Sequence, residues 1–199
     1  MTNLKNWLFL PHRKRRKQIR WVATIFLTTI LISGVISLIS DEVMANSSLA
    51  FAFVILLAIV FLGIVFDIIG MAVATADEKP FHSMAARKVP GAQESIRLLR
   101  NAERVTSICN DVIGDICGVV SGSASAAIAA QILQNFTFSW PQMVSLLASA
   151  LVAGLTVAGK AIGKSIALHS STTIVQMVGK VIWFFRYFPQ LFQKKREQR

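Results

Sequence analysis

Acid is scarce in this chain. Asp and Glu number 10 of 199 residues against 21 Lys and Arg, which leaves a formal charge of +11. The basic residues fall between apolar runs and never form one polar segment that could fold into a basic face, so nucleic acid is excluded as a partner. Cysteine is almost absent. Cys109 and Cys117 are the only two. They share one expected helix at a separation too long to bridge, and no metal-type cysteine pair exists. Both read as small apolar core residues. His12, His82 and His169 stand apart from one another, and no catalytic nucleophile–base arrangement or metal motif is present. The sequence therefore argues against an enzyme, and His169 reads as the cap of a helix end. Long polar stretches are lacking too. A composition 54% hydrophobic with a mean hydropathy of +0.57 is that of an all-α integral membrane protein, with the lipid bilayer as its first partner.

The apolar runs set the order of the chain. Residues 1–20 end in the basic run HRKRRKQIR, with Trp7 to Leu10 suited to the interface, and form an expected cytoplasmic N-terminus. Segment 21–40 is uncharged and long enough to span, with Trp21 as its aromatic anchor. A cleaved signal peptide would need a shorter apolar stretch and a shorter basic region. A second run covers 49–76, broken only by Asp67 between Gly63 and Gly70. Residues 77–104 are polar and basic, divided at Pro90-Gly91 into two short amphipathic pieces. A third span is expected over 105–133 and a fourth over 143–168. The stretch 172–192, broken at Pro189, reads as a C-terminal amphipathic interfacial helix ahead of a basic tail at 191–199.

Lys and Arg outside the spans lie in 1–20, 77–104 or the tail, whereas the loops 41–48 and 134–142 carry none. By the positive-inside rule the sequence predicts a multi-pass protein of the cell membrane with both termini cytoplasmic. Asn46-Ser47-Ser48 and Asn135-Phe136-Thr137 are glycosylation-type triplets on the two outside loops.

Ionisable residues inside spans point to a site. Asp111 and Asp115 stand at i, i+4 on the third span, with Gly118 and Gly122 continuing their stripe. Lys160 and Lys164 repeat that spacing on the fourth, where Ala150/Gly154 and Gly159/Gly163 are small-xxx-small pairs suited to close helix packing. At about 1.5 Å per residue, Asp67 and Asp115 lie ~15 Å from the cytoplasmic face, Lys160 ~12 Å, Asp111 ~9 Å and Lys164 ~6 Å. A charge in a membrane helix normally faces a partner or water. Acid and base at one depth therefore predict pairing, with Asp115 and Lys160 expected to meet and both carboxylates of the third span facing protein.

Several segments, in order, resemble the DUF21 transmembrane domain of the CNNM/CorB/CorC magnesium-transport family. Leu98-Leu99-Arg100-Asn101-Ala102-Glu103-Arg104-Val105-Thr106-Ser107 is similar to the family's LL-x-NPERLLS. Phe66-Asp67-Ile68-Ile69-Gly70-Met71-Ala72 sits where the family has FSxSETA, and Asn110-Asp111 resembles the paired Asn of GNN. Gly159-Lys160-Ala161-Ile162-Gly163-Lys164-Ser165-Ile166-Ala167 looks like GEIxPKSLA. The likeness covers about 49–190, so the span at 21–40 would be an addition to a DUF21-like core. It implies a four-span domain with a juxtamembrane helix, a homodimer, and oxygen ligands for Mg²⁺ at Asp67, Asn110, Asp111 and Asp115. The departures fall on the chemistry. Asp67, Ile68, Ile69 and Gly70 stand at the Ser-x-Ser-Glu positions, Lys160 replaces the Glu of GEIxPK, Gly163 replaces its Pro, and Lys164 is kept. The 199 residues also leave no room for the family's CBS domains.

Three functions are compatible with this pattern. One is Mg²⁺ transport through the Asp and Asn ligands, or a degenerate form of it. Another is a non-transporting scaffold, or a partner to another membrane protein, in which Lys160 substitutes for the ion. The last is a proton-linked carrier using the Asp/Lys layer. No cofactor other than Mg²⁺ is implied.

Overall fold

The computed structural model describes residues 12–45, 48–135 and 140–194. Trp7 to Leu10, parts of both glycosylation-type triplets and the end of the basic tail lie outside the described residues.

Helices α1 (His12–Ala45) and α2 (Leu49–Thr75) come first, followed by the short α3 (Lys79–Ala86), α4 (Ala92–Arg100) and α5 (Ala102–Thr106). A π-helical segment over Ser107–Gly114 then runs without a break into α6 (Asp115–Asn135). Helices α7 (Pro141–His169) and α8 (Ser171–Lys194) complete the fold, and no strand occurs among the described residues. Among the described residues four stretches are long and apolar enough to cross a membrane: Ile19–Ile39, Leu49–Thr75, Ala102–Asn135 and Gln142–His169. The reason is chain geometry. Some 20 apolar residues at 1.5 Å each cover the roughly 30 Å hydrocarbon core with every backbone bond satisfied inside the helix. The third span is longer than expected and changes pitch inside. The last helix also differs from the sequence expectation, since it continues past Pro189 to Lys194.

Helix α2 is the centre of the molecule, packed against α7, α6, the π-helical segment, α5 and α8. Its N-terminal half buries Ala52, Leu56 and Val60 on Ala124 and Ile128 of α6. Its other half buries Ala72 and Val73 with Phe81, Ala167 and Val175, which draws α3, α7 and α8 together around one end of the bundle. Helix α1 is peripheral. It meets the bundle through Ile25 against the cluster of Val112, Ile116 and Val120. Trp21, in its N-terminal half, has the Arg104 guanidinium 5.5 Å over its ring. Most of its remaining surface faces outward, as expected where lipid is the solvent.

Candidate functional site

The ionisable residues of three spans meet in one place. Asp67 and Met71 of α2, Asn110 and Asp111 of the π-helical segment, Asp115 of α6, and Lys160 and Lys164 of α7 line an open pocket of about 290 Å³. The depth argument from sequence thus brings together the residues that share a level, although they do not pair as expected.

Lys160 reaches α2. Its Nζ lies 2.8 Å from Asp67 Oδ2, with the Asp67 side chain 19% exposed and that of Lys160 31%. The expected Asp115–Lys160 pair is replaced by Asp67–Lys160, and two packing features explain the change. On one side, Gly159 and Gly163 turn their bare backbone onto Ile64 and Ile68, which seats α7 directly against α2. The intervening Lys160 is then carried to Asp67. On the other side, the π-helical segment winds i→i+5 and so departs from the α-helical phase that put Asp111 and Asp115 on one stripe. Asp111 and Asp115 line the pocket as exposed side chains. Asp111 Oδ2 accepts a hydrogen bond from Ser107 Oγ at 2.9 Å. Among the described residues neither Asp111, Asp115 nor Lys164 forms an ion pair.

The pocket's back wall depends on two glycines facing opposite ways. A Cβ on Gly70 would strike the Asn110 carboxamide, and one on Gly114 would stand 2.5 Å from Asp67 Oδ1. Helix α2 and the π-helical segment approach so closely that each supplies the space for the other's polar side chain. Thr106 Oγ1 ties the crossing by donating to the Gly70 carbonyl at 3.1 Å. Asn110 gains no such tie: its Oδ1 is buried with no hydrogen-bond partner. A buried, unpaired carbonyl oxygen is a standing cost in any medium of low polarity.

The remaining glycines of the predicted stripes behave differently. Gly118, Gly122 and Gly154 have open space where a Cβ would stand, so the close helix packing expected of them is not formed among the described residues. The sequence reading overlooked Ser107, although its i, i+4 spacing to Asp111 was visible. Gly114 was overlooked as well, a small residue set between the two acids of one span.

As a site for a resident Mg²⁺ the pocket fits poorly. No three His, Cys, Asp or Glu side chains gather to hold a metal ion among the described residues. One oxygen of Asp67 is already engaged by an ammonium group. Mg²⁺ wants near-octahedral oxygen ligands at short range, and a lysine inside the ring opposes its charge. No family model matches the chain, and neither a curated protein nor a solved structure does.

Proposed function

We propose that this chain is a multi-pass protein of the cell membrane with a DUF21-like core, in which Lys160 takes the place of a transported cation and locks a degenerate site. The observation that carries the reading is the 2.8 Å contact between Lys160 Nζ and Asp67 Oδ2. An ammonium is a compact cation with three donors and so resembles a tethered monovalent ion. On this reading both termini face the cytoplasm, the span nearest the N-terminus is an addition to the core, and α8 lies along the inner interface. The open faces at Gly118, Gly122 and Gly154 then suit a second copy or another membrane protein.

Calorimetry on the purified full chain tests the proposal. The native protein is expected to show no micromolar Mg²⁺ affinity, and Lys160→Gln to gain it. Native micromolar binding that Lys160→Gln weakens would overturn the locked site in favour of Mg²⁺ transport. That second reading has one observation in its favour: the unpartnered Asn110 oxygen stands beside the pocket that Asp111 and Asp115 also line.

A further inference from the structure

A second polar pocket, separate from the Asp/Lys layer, lies where the amphipathic helices meet. It encloses about 210 Å³ between Lys88 and Pro90 of the α3–α4 turn, Gln93 and Glu94 of α4, and Trp183 and Tyr187 of α8. The turn is held in an unusual shape. Lys88 and Gly91 both have positive φ, 57° and 83°. Gly91 packs on the backbone of Gly179 and Lys180 so tightly that a Cβ there would reach 2.5 Å from the Lys180 nitrogen. Ser95 Oγ, fully buried, stands 3.1 Å from the Val175 carbonyl as donor and fastens α4 to α8 a turn further on. The walls are thus fixed to each other by backbone contact, and the side chains they present are set in place.

Those side chains form a complementary set. The Glu94 side chain is only 6% exposed, yet its guanidinium contacts are long and fall on one oxygen: Arg97 at 3.5 Å and Arg186 at 3.9 Å, both to Oε1. Oε2 has no hydrogen bond from any described residue. Beside it the Trp183 and Tyr187 rings lie 5.2 Å apart, centre to centre, with their planes tilted by 31°. A buried carboxylate next to aromatic faces is a receptor for an organic cation. Lys88, which lines the pocket, and Arg186, which reaches Glu94 Oε1 from beyond the lining, are receptors for a phosphate. A purely anionic ligand would meet Glu94, and a purely cationic one would meet Lys88 and Arg186. A molecule carrying both charges a few bonds apart satisfies both.

The surface around the pocket indicates where such a molecule comes from. Helix α8 turns Met177, Val181, Ile182, Phe184 and Phe185 outward. An exposed apolar and aromatic face on an amphipathic helix is suited to the headgroup boundary of a bilayer. We propose that the pocket binds the headgroup of a zwitterionic phospholipid, phosphoethanolamine in particular. The ammonium sits on Glu94 Oε2 and the Trp183–Tyr187 faces, and the phosphate on Lys88 and Arg186. Ethanolamine is favoured over choline because Oε2 is an acceptor and needs an N–H. This site rests on the membrane reading but not on the locked cation site, so either can fail alone.

Native mass spectrometry of the full chain, released from nanodiscs of equimolar phosphatidylethanolamine, phosphatidylcholine and phosphatidylglycerol, tests it. Phosphatidylethanolamine is expected to be retained over the other two. Tyr187→Leu should lower that retention about three- to tenfold, as expected for loss of one cation–aromatic contact. Lys88→Asn, which tolerates the positive φ, should lower retention of all three lipids together. Glu94→Gln should remove the preference for phosphatidylethanolamine over phosphatidylglycerol. Should Glu94→Gln fail to fold, the surface variants Tyr187→Leu and Lys88→Asn still decide the matter. Equal retention of the three lipids by the native chain, a preference for phosphatidylglycerol, or indifference to both surface variants would overturn the proposal.

Discussion

Lys160 of α7 and Asp67 of α2 form an ion pair that joins two spans, at 2.8 Å and with both side chains partly covered. Removing one partner of a buried pair leaves a charge without compensation, which costs about 3–5 kcal/mol when burial is complete, whereas replacing both by apolar groups is often neutral. The pair borders an open pocket, so the loss here should fall below that range. Asp67→Leu is expected to lower the thermal midpoint in detergent, and Asp67→Leu with Lys160→Met to restore most of it. Asp115→Leu, whose target makes no ion pair among the described residues, should lose less than Asp67→Leu. If Asp115→Leu proves the more damaging of the two, Lys160 pairs with the third span and not the second.

The crossing between α2 and the π-helical segment gives a comparison of glycines within one chain. Gly70 faces the Asn110 carboxamide and the Cys109 Cβ, while Gly118 faces no other described residue. Gly→Ala in a helix ordinarily gains about 0.5–1 kcal/mol because the freer glycine backbone loses more entropy on folding. Gly118→Ala should show that gain. Gly70→Ala should reverse it, since Asn110 must move and carry the Thr106 hydrogen bond to Gly70 with it. Equal effects of the two substitutions on the thermal midpoint would contradict the close crossing.

Much of this was legible beforehand, and the rest was hidden for a physical reason. The spans follow from apolar run length, and the gathering of Asp67, Asp111, Asp115, Lys160 and Lys164 follows from their shared depth. Both are one-dimensional properties of the chain. Which Asp meets Lys160 depends on rotation about the helix axes. That rotation depends on how Gly159 and Gly163 seat α7 on Ile64 and Ile68, and on the wider winding of Ser107–Gly114. A π-helical stretch leaves no mark in a pattern counted at 3.6 residues per turn. The small-residue stripes were likewise visible, but composition does not say whether a stripe at Gly118 and Gly122 meets a helix of its own chain or open space.

The proposed orientation is checked from outside the cell. Ser48 and Ser83 are exposed and stand at the start of α2 and on α3, on opposite sides of one span. In a chain with Cys109 and Cys117 replaced by Ala, Ser48→Cys should react with an impermeant thiol reagent in intact cells. Ser83→Cys should react only after the cells are opened. Reaction of Ser83→Cys in intact cells would reverse the topology inferred from the basic segments.

Asn110 offers the sharpest separation between a locked site and a working one. Its Oδ1 is buried without a hydrogen bond, and an unsatisfied buried polar group costs about 1–3 kcal/mol. Leucine has nearly the shape of asparagine without the polar atoms, so Asn110→Leu should raise the thermal midpoint of the native chain if no ion uses that oxygen. The same oxygen stands where the family resemblance puts a cation ligand, beside the pocket that Lys160 partly fills. Once Lys160→Gln removes the ammonium, Asn110 becomes available as a neutral oxygen next to Asp67, Asp111 and Asp115, a set suited to a hard cation. In the Lys160→Gln background Asn110→Leu should therefore weaken Mg²⁺ binding measured by calorimetry, while in the native background it changes stability alone. If Asn110→Leu destabilises the native chain, and Mg²⁺ fails to stabilise that variant as it does the parent, the oxygen already serves an ion in the native protein and the lock at Lys160 is not closed.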